Sequence, residues 1–497
     1  MSRLRILSVV ATVILCTFLT ALDNTVVNVA LPRMRAELAL SESDVKWVAT
    51  GYPLALASFL LLGGQLTDTR GRRWTLLTGL TVFTASSAGC ALSATAAMLV
   101  CFRCLQGAGA ALILPACLAL MSHELPRHVR AVGFAATTAT LASALALGPV
   151  ISGVVTQHLG WEWLFVMNVP LGFAGLLVGA LAVPVSPLPE RGSRARSLAG
   201  LPSRVIALAC VSLAAIVYCL IQGPSYGFTD PFVIISGIAA VTGALTLCCG
   251  KKFRRGPKLG ELFRQRPFKG GLISQLLWGL GVSGVYFYTS QFLQNGLRLS
   301  PTEAGLTFTP VASALVLTAP FVTALARRWG DGRVSAAGLL LVALGLLLVA
   351  LGSVRGALVG LLPGLASVGV GSALAIPLTT RALESSPRHL SGVAAGLFSA
   401  TREMSGVFGI ALMGAVVTFV QRRTLSAGTS HDTAFLVAYQ AGLCIAAALV
   451  GAGAPVAVWA LRHPREPARE GCGLSKPSAD EKVQARGGDA ARPTAEP

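Results

Sequence analysis

Residues 6–31 read ILSVVATVILCTFLTALDNTVVNVAL, a run of aliphatic and small side chains whose one charge is Asp23. About 20 apolar residues suffice to cross a bilayer as a helix, so the run predicts a first membrane span. A carboxylate at such depth costs roughly 2.5–3.5 kcal/mol on insertion scales. The expected return is a proton site, a partner cation, a substrate contact or a structural bond to a buried partner. Reversible protonation is the simplest of these, because apolar surroundings disfavour a bare charge.

The rest of the chain repeats the apolar theme. Of 497 residues, 54% are hydrophobic and only 12% charged, with mean hydropathy +0.69; a soluble domain carries about 25% charged residues. Lipid satisfies no backbone group, so spans are helices or closed barrels. The runs are continuous rather than alternating, which favours an all-α membrane protein. Hydropathy places about fourteen spans near 7–30, 47–67, 75–95, 97–120, 131–156, 163–183, 203–223, 231–250, 270–293, 303–326, 335–353, 357–378, 391–420 and 434–461. The 54 Gly and 26 Pro suit membrane helices, where they permit close packing and bends.

The net charge of +19 sorts by side of the membrane. Of 40 Lys and Arg, 31 lie in loops on the side of the N-terminus or in the tail. Seven lie opposite (Arg33, Arg35, Lys46, Arg298, Arg355, Arg422, Arg423), and Arg103 and Arg402 lie inside spans. Positive charge collects on the cytoplasmic side. Both termini are therefore expected in the cytoplasm, as an even number of spans requires, with the chain in the cell membrane. The charge is topological and implies no nucleic-acid partner. The 11 Cys mostly fall in apolar runs; Cys101 and Cys104 on a membrane helix read as packing residues, not a redox or zinc pair. The six His show no metal-ligand spacing, so no metal and no cofactor are expected. The basic start followed by an apolar stretch reads as an uncleaved first helix.

Basic segments at 184–204 and 250–269 bracket two spans. The layout is an N-terminal six-helix bundle (1–183), two inserted central helices with basic flanks (184–269), a C-terminal six-helix bundle (270–461) and a tail (462–497) whose Pro, Gly, Ala and charge predict disorder. Two bundles around a midplane site is a transporter arrangement.

Four stretches carry chemistry. Asp23, Thr25 and Asn28 are polar on the first helix. Gly64-Gln65-Leu66-Thr67-Asp68-Thr69-Arg70-Gly71-Arg72-Arg73 closes the second span with an acid, a turn glycine and a basic loop. Arg103, ahead of Gln106-Gly107, is a second buried charge needing a carboxylate, carbonyls or water. Held together, Asp23 and Arg103 favour the ionised acid; apart, they favour its protonated form, which would make a proton switch tied to conformation. Gly148-Pro149 permits a bend with close packing in the fifth span, and Trp161 to Gly172 opens the sixth.

Together these stretches resemble the major facilitator superfamily, most closely its fourteen-span drug:proton antiporter branch, over about residues 10–460. Asp23 to Pro32 resemble the first-helix motif, Gly64 to Arg73 the shared loop signature, Arg103 and Gly107 the fourth-helix motif, and Gly148-Pro149 the antiporter signature. Gln294, Ser300-Pro301, Ala304-Gly305 and Pro310 resemble the segment after the insertion, and Arg402 to Gly406 the thirteenth helix. The sequence departs from the family pattern at Thr69, Ala144, Ser152, Glu162 and Glu403. Glu403 reads equally as a local ion pair with Arg402 or as a second proton or cation site. The resemblance implies proton coupling by Asp23 and Arg103. It also implies an inter-bundle lock with Gly64, Asp68, Gly71, Arg72 and Arg73, and an antiporter shaped by Gly148 and Pro149.

On the ninth span Trp278, Tyr286, Phe287, Tyr288, Gln291 and Phe292 line either a drug-sized cavity or the lipid boundary. Asn28, Tyr286, Tyr288, Gln291 and Gln294 are the cavity candidates. The expected function is proton-driven export of an organic drug or antibiotic by a monomeric carrier. A basic set with only 7 Lys, beside abundant Ala, Gly and Leu, hints at a GC-rich genome and an antibiotic-making bacterium. The rivals are a proton-coupled importer of the same fold, against which Gly148-Pro149 argues, and a non-transporting membrane sensor. Deletion of 470–497 separates the latter, since export should survive it. No nucleophile–base pair suggests an enzyme.

Overall fold

The computed structural model describes residues 3–183, 203–227, 229–249, 259–354, 358–387 and 391–461; the expected disordered tail and the basic segments 184–202 and 250–258 lie outside the described residues. Every element described is helical. The first bundle consists of α1 (Arg3–Glu37), α2 (Glu42–Arg70), α3 (Arg72–Ala91), α4 (Ala96–Glu124), α5 (Arg127–His158) and α6 (Asn168–Ala182). The inserted pair is α7 (Ser203–Tyr226) and α8 (Pro231–Cys249). The second bundle consists of α9 (Arg266–Gln291), α10 (Thr309–Trp329), α11 (Asp331–Val354), α12 (Leu362–Leu374), α13 (Ser391–Ser426) and α14 (His431–Ala460). Short helices Trp163–Val166, Pro301–Thr307 and Ile376–Glu384 extend α6, α10 and α12.

A helix thus stands at each expected span. Among the described residues, 10 helices are long and apolar enough to cross a membrane, or 11 if the halves of α2, bent by 47°, count as one. That is fewer than the fourteen expected. The inserted pair runs for 24 and 19 residues, Ser203–Tyr226 and Pro231–Cys249, with continuous apolar stretches among the described side chains at Val211–Gly223 and Pro231–Gly243. In α3, Thr75, Thr84, Ser86 and Ser87 are buried. Packed between α4 and α6, α3 needs small side chains more than apolar ones.

Local chemistry sets the ends. Ser41 with Asp44, and Ser300 with Glu303, close reciprocal capping boxes at the starts of α2 and of Pro301–Thr307. Gly71 (φ 92°) and Gly330 (φ 86°) turn the chain between α2 and α3 and between α10 and α11, a conformation that L side chains avoid. One residue on, Arg72 bridges Glu124 at the end of α4 at 2.6 Å. At the equivalent place in the second bundle, Asp331 bridges Arg381 at 2.8 Å. The two halves repeat the device with the charges exchanged.

The bundles form one compact unit and meet along two seams. On one, α5 packs on Pro301–Thr307 and α10; on the other, α2 packs on α13. Helix α7 lies over the second seam. Its Val217 and Ile221 pack with Leu54 and Ala57 of α2 and with Met404, Val407 and Ala411 of α13, and Trp47 sits 6.1 Å from Tyr218. The inserted pair therefore touches both halves rather than extending either.

Candidate functional site

Asp23 and Asn24 are neighbours on α1, about 100° apart around its axis, and so face different compartments. Asp23 turns into the first bundle and is 0% exposed. Its Oδ2 accepts from Arg103 Nη1 at 2.5 Å, and its Oδ1 accepts from Gln106 Nε2 at 2.8 Å and Asn168 Nδ2 at 2.7 Å. Arg103 and Gln106 lie three residues apart on one face of α4; Arg103 also donates to Gln106 Oε1 at 2.7 Å, and Gln106 to Ser87 Oγ at 2.8 Å. The guanidinium lies between two rings, 4.7 Å from the centre of Tyr52 and 5.7 Å from that of Phe165. Its Nε has no partner among the described residues. Four helices thus hold one acid and one cation in a dry, hydrogen-bonded cage, where the low dielectric makes the pair strongly interdependent.

Asn24 turns the other way, into a cavity of about 400 Å³ between the bundles. The cavity runs from mid-depth toward the face where α1 begins, bordered by Met121, Thr137 and Ser399. On its wall Asn24 donates to Glu403 Oε2 across the bundles at 3.3 Å. Glu403 Oε1 accepts from Arg402 Nη2 at 2.7 Å and Nε at 3.0 Å. Both residues line the cavity, so the local-pair reading describes the geometry, and that pair is also reachable by a ligand. Opposite α1, Trp278 and Tyr286 line the cavity, with Tyr286 stacked on Phe308 at 5.4 Å.

Of the expected cavity residues, Asn28 and Tyr286 border it, whereas Tyr288, Gln291 and Gln294 do not. Two residues beyond Tyr286 on a 3.6-residue helix, Tyr288 points about 200° away and packs edge-on against Phe287 at 4.8 Å. Gln294, in the π-helical turn Phe292–Gly296, donates instead to Val29 O at 2.8 Å. That bond belongs to the closed face where α1 ends. There a Cβ on Gly153 would run into Pro301 O, and one on Gly305 into Pro149 O. Thr302 donates to Gly153 O at 3.3 Å and to Gln157 Oε1 at 3.2 Å. Gly148 lies against Thr25 of α1 with no room for a side chain. Gly148-Pro149 and the Ser300–Gly305 segment, read separately in the sequence, are one contact.

In the loop signature, Gly71 makes the turn and Arg72 is held by Glu124 of its own bundle, rather than across the seam; Arg70 lies over Trp74 at 5.4 Å. Lys46, expected in a loop, is inside α2 and 4% exposed, with Nζ 3.5 Å from Thr418 Oγ1 on α13. Sequence reading also gave no role to Gln106, Asn168 or Tyr52. The spacing of Gln106 from Arg103 was the available signal for the first; nothing local marked the others.

A cavity between two helical bundles, with an ion pair sealed in one of them, defines a multi-pass membrane transporter. The family profile described as Major Facilitator Superfamily matches residues 13–410, and the chain belongs to that superfamily. It is 31% identical over 409 residues to the tetracenomycin C resistance and export protein of Streptomyces glaucescens, covering 80% of this chain and 73% of that one. It is 31% identical to the methylenomycin A resistance protein of Bacillus subtilis (83% and 87% covered) and 32% to the multidrug resistance protein Stp of Mycobacterium tuberculosis (84% and 76%). The fold is similar to an auto-inhibited peptide transporter of the POT family, with TM-score 0.67 at 18% identity over 93% of this chain and 97% of that one.

Proposed function

We propose that this chain exports a drug-sized organic compound, an antibiotic or related metabolite, across the cell membrane in exchange for protons, with both termini in the cytoplasm. The observation that carries the reading is the Asp23–Arg103 pair, buried beside a cavity that reaches toward the face where α1 begins. The relatives named for resistance and export support the outward direction.

Substrate enters from the cytoplasm between α1, α5, α9 and α10. Reorientation separates the Gly153–Pro301 and Lys46–Thr418 contacts and opens the other face. Protonation of Asp23 there loosens its hold on Arg103 and releases substrate; return and deprotonation inside reset the pair. The membrane potential supplies about 2.3 kcal/mol per charge per 100 mV. The carrier needs no cofactor and works as a monomer.

The test is a resistance and accumulation profile in an efflux-deficient bacterium expressing the chain, with and without protonophore. In inverted vesicles, adding an exported compound should release protons from the lumen. Proton uptake in the same direction as substrate would instead identify an importer.

A further inference from the structure

We propose that Tyr52 is the partition between the substrate cavity and the buried proton site, and that its displacement is the step connecting them. The inference rests on the proton-coupled reading above and adds the route by which the cavity and Asp23 communicate. Tyr52 stands in the cavity wall, yet is 0% exposed: the wall is closed where it stands. One face of its ring covers the Arg103 guanidinium at 4.7 Å. Its hydroxyl donates to Thr20 O at 3.0 Å, and Thr20 is itself in the wall, one helical turn before Asp23 and Asn24. Tyr52 thus covers the cation of the ion pair with its ring and borders the cavity at a point where the wall is closed.

The backbone around Tyr52 is held from behind and loosened in front. A Cβ on Gly107 would collide with the Tyr52 carbonyl, and one on Gly51 would press on Cys104 Sγ at 3.3 Å, so α4 is seated directly against this turn. The next residue, Pro53, also in the wall, has no N–H to donate to the Ala49 carbonyl, which weakens the helix at that point. A substrate pressing on Thr20 and Tyr52 shifts the ring that covers Arg103. Conversely, no water reaches Asp23 from the cavity until the ring moves. Tyr52 is a positioning residue: it acts on the proton through Arg103 and as a seal.

Purified carrier in liposomes with trapped pyranine, given an inward pH gradient of one unit and no substrate, reads the seal directly. Wild type and Tyr52→Phe, which keeps the ring, should hold the gradient. Tyr52→Ala should leak protons at least tenfold faster, and adding Asp23→Asn should abolish that leak. Labelling of Asp23 by dicyclohexylcarbodiimide, followed by mass spectrometry, should rise in Tyr52→Ala. A merely structural role would lower the yield of folded protein without a leak; Tyr52→Leu, which supports the packing but lacks the flat ring that covers Arg103 and should leak likewise, serves if Tyr52→Ala does not fold. The inference is overturned if folded Tyr52→Ala or Tyr52→Leu stays as tight as wild type, or if the leak persists without Asp23. A tight Tyr52→Ala in a carrier that passes the vesicle test above sinks this inference alone; failure of that vesicle test sinks the export reading with it.

Discussion

Arg72 and Asp331 occupy the same place in the two bundles, one residue past a left-handed glycine, and each makes a bridge to the end of the second helix that follows, with opposite charge. The halves share a structural solution while their sequences exchange its polarity. Arg72 and Glu124 are 24% and 17% exposed, a partly screened pair expected to contribute about 1 kcal/mol.

That relation sets the first prediction. Arg72→Asp should slow export several-fold by repelling Glu124. Adding Glu124→Arg, which copies the arrangement of the second bundle, should restore most of it. Transport rates of the two variants, normalised to membrane protein, decide; a double variant no better than the single would show that Arg72 acts elsewhere.

The Asp23–Arg103 pair should behave as one unit. Removing either partner leaves the other buried and unmatched, a loss of about 3–5 kcal/mol for such pairs. Arg103→Gln should therefore lower thermal stability more than the double variant Asp23→Asn/Arg103→Gln, whose two amides can bond. Both should lose protonophore-sensitive export. Thermal unfolding in detergent measures the first effect, and whole-cell efflux the second.

Gly305 faces a backbone carbonyl, Pro149 O, with no flexible side chain to yield. Gly305→Val should hold α5 away from Pro301–Thr307 and keep the far face open. A cysteine placed at Thr302 should then react with an impermeant maleimide from outside at least fivefold faster than in the Gly305 background. Equal reactivity would mean that this contact does not close the face.

Glu403 balances Arg402 inside the cavity, with Asn24 as its second partner. Glu403→Gln keeps the size and the bond from Asn24 but leaves the arginine charge unmatched. Export of organic anions should rise relative to lipophilic cations by about tenfold, or about 1.4 kcal/mol. Competition assays with one probe of each charge read the ratio; an unchanged ratio would show that the pair does not face the substrate.

Much of this was legible along the chain. Apolar runs long enough for a bilayer announced the helices, and isolated charges within them, Asp23, Arg103, Arg402 and Glu403, marked polar sites because lipid tolerates none without a partner. Composition was less informative where a helix is shielded by protein: α3, rich in Thr and Ser, does not read as a full span by apolarity. Lys46 was placed in a loop because a lone cation near a helix start gives no sign of a neighbour more than 370 residues away.

What the sequence alone determined was the class of solvent and the places where charge enters it, since one-dimensional hydropathy reports the cost of each residue in lipid. Only the tertiary structure decided which charges meet. It turned Asp23 inward toward Arg103 and Asn168 while turning Asn24 toward Glu403, and it removed Tyr288, Gln291 and Gln294 from the cavity. Those outcomes depend on the rotation of each helix about its axis, which is set by packing against distant segments; a difference of one residue, about 100°, separates the buried ion pair from the cavity between the bundles.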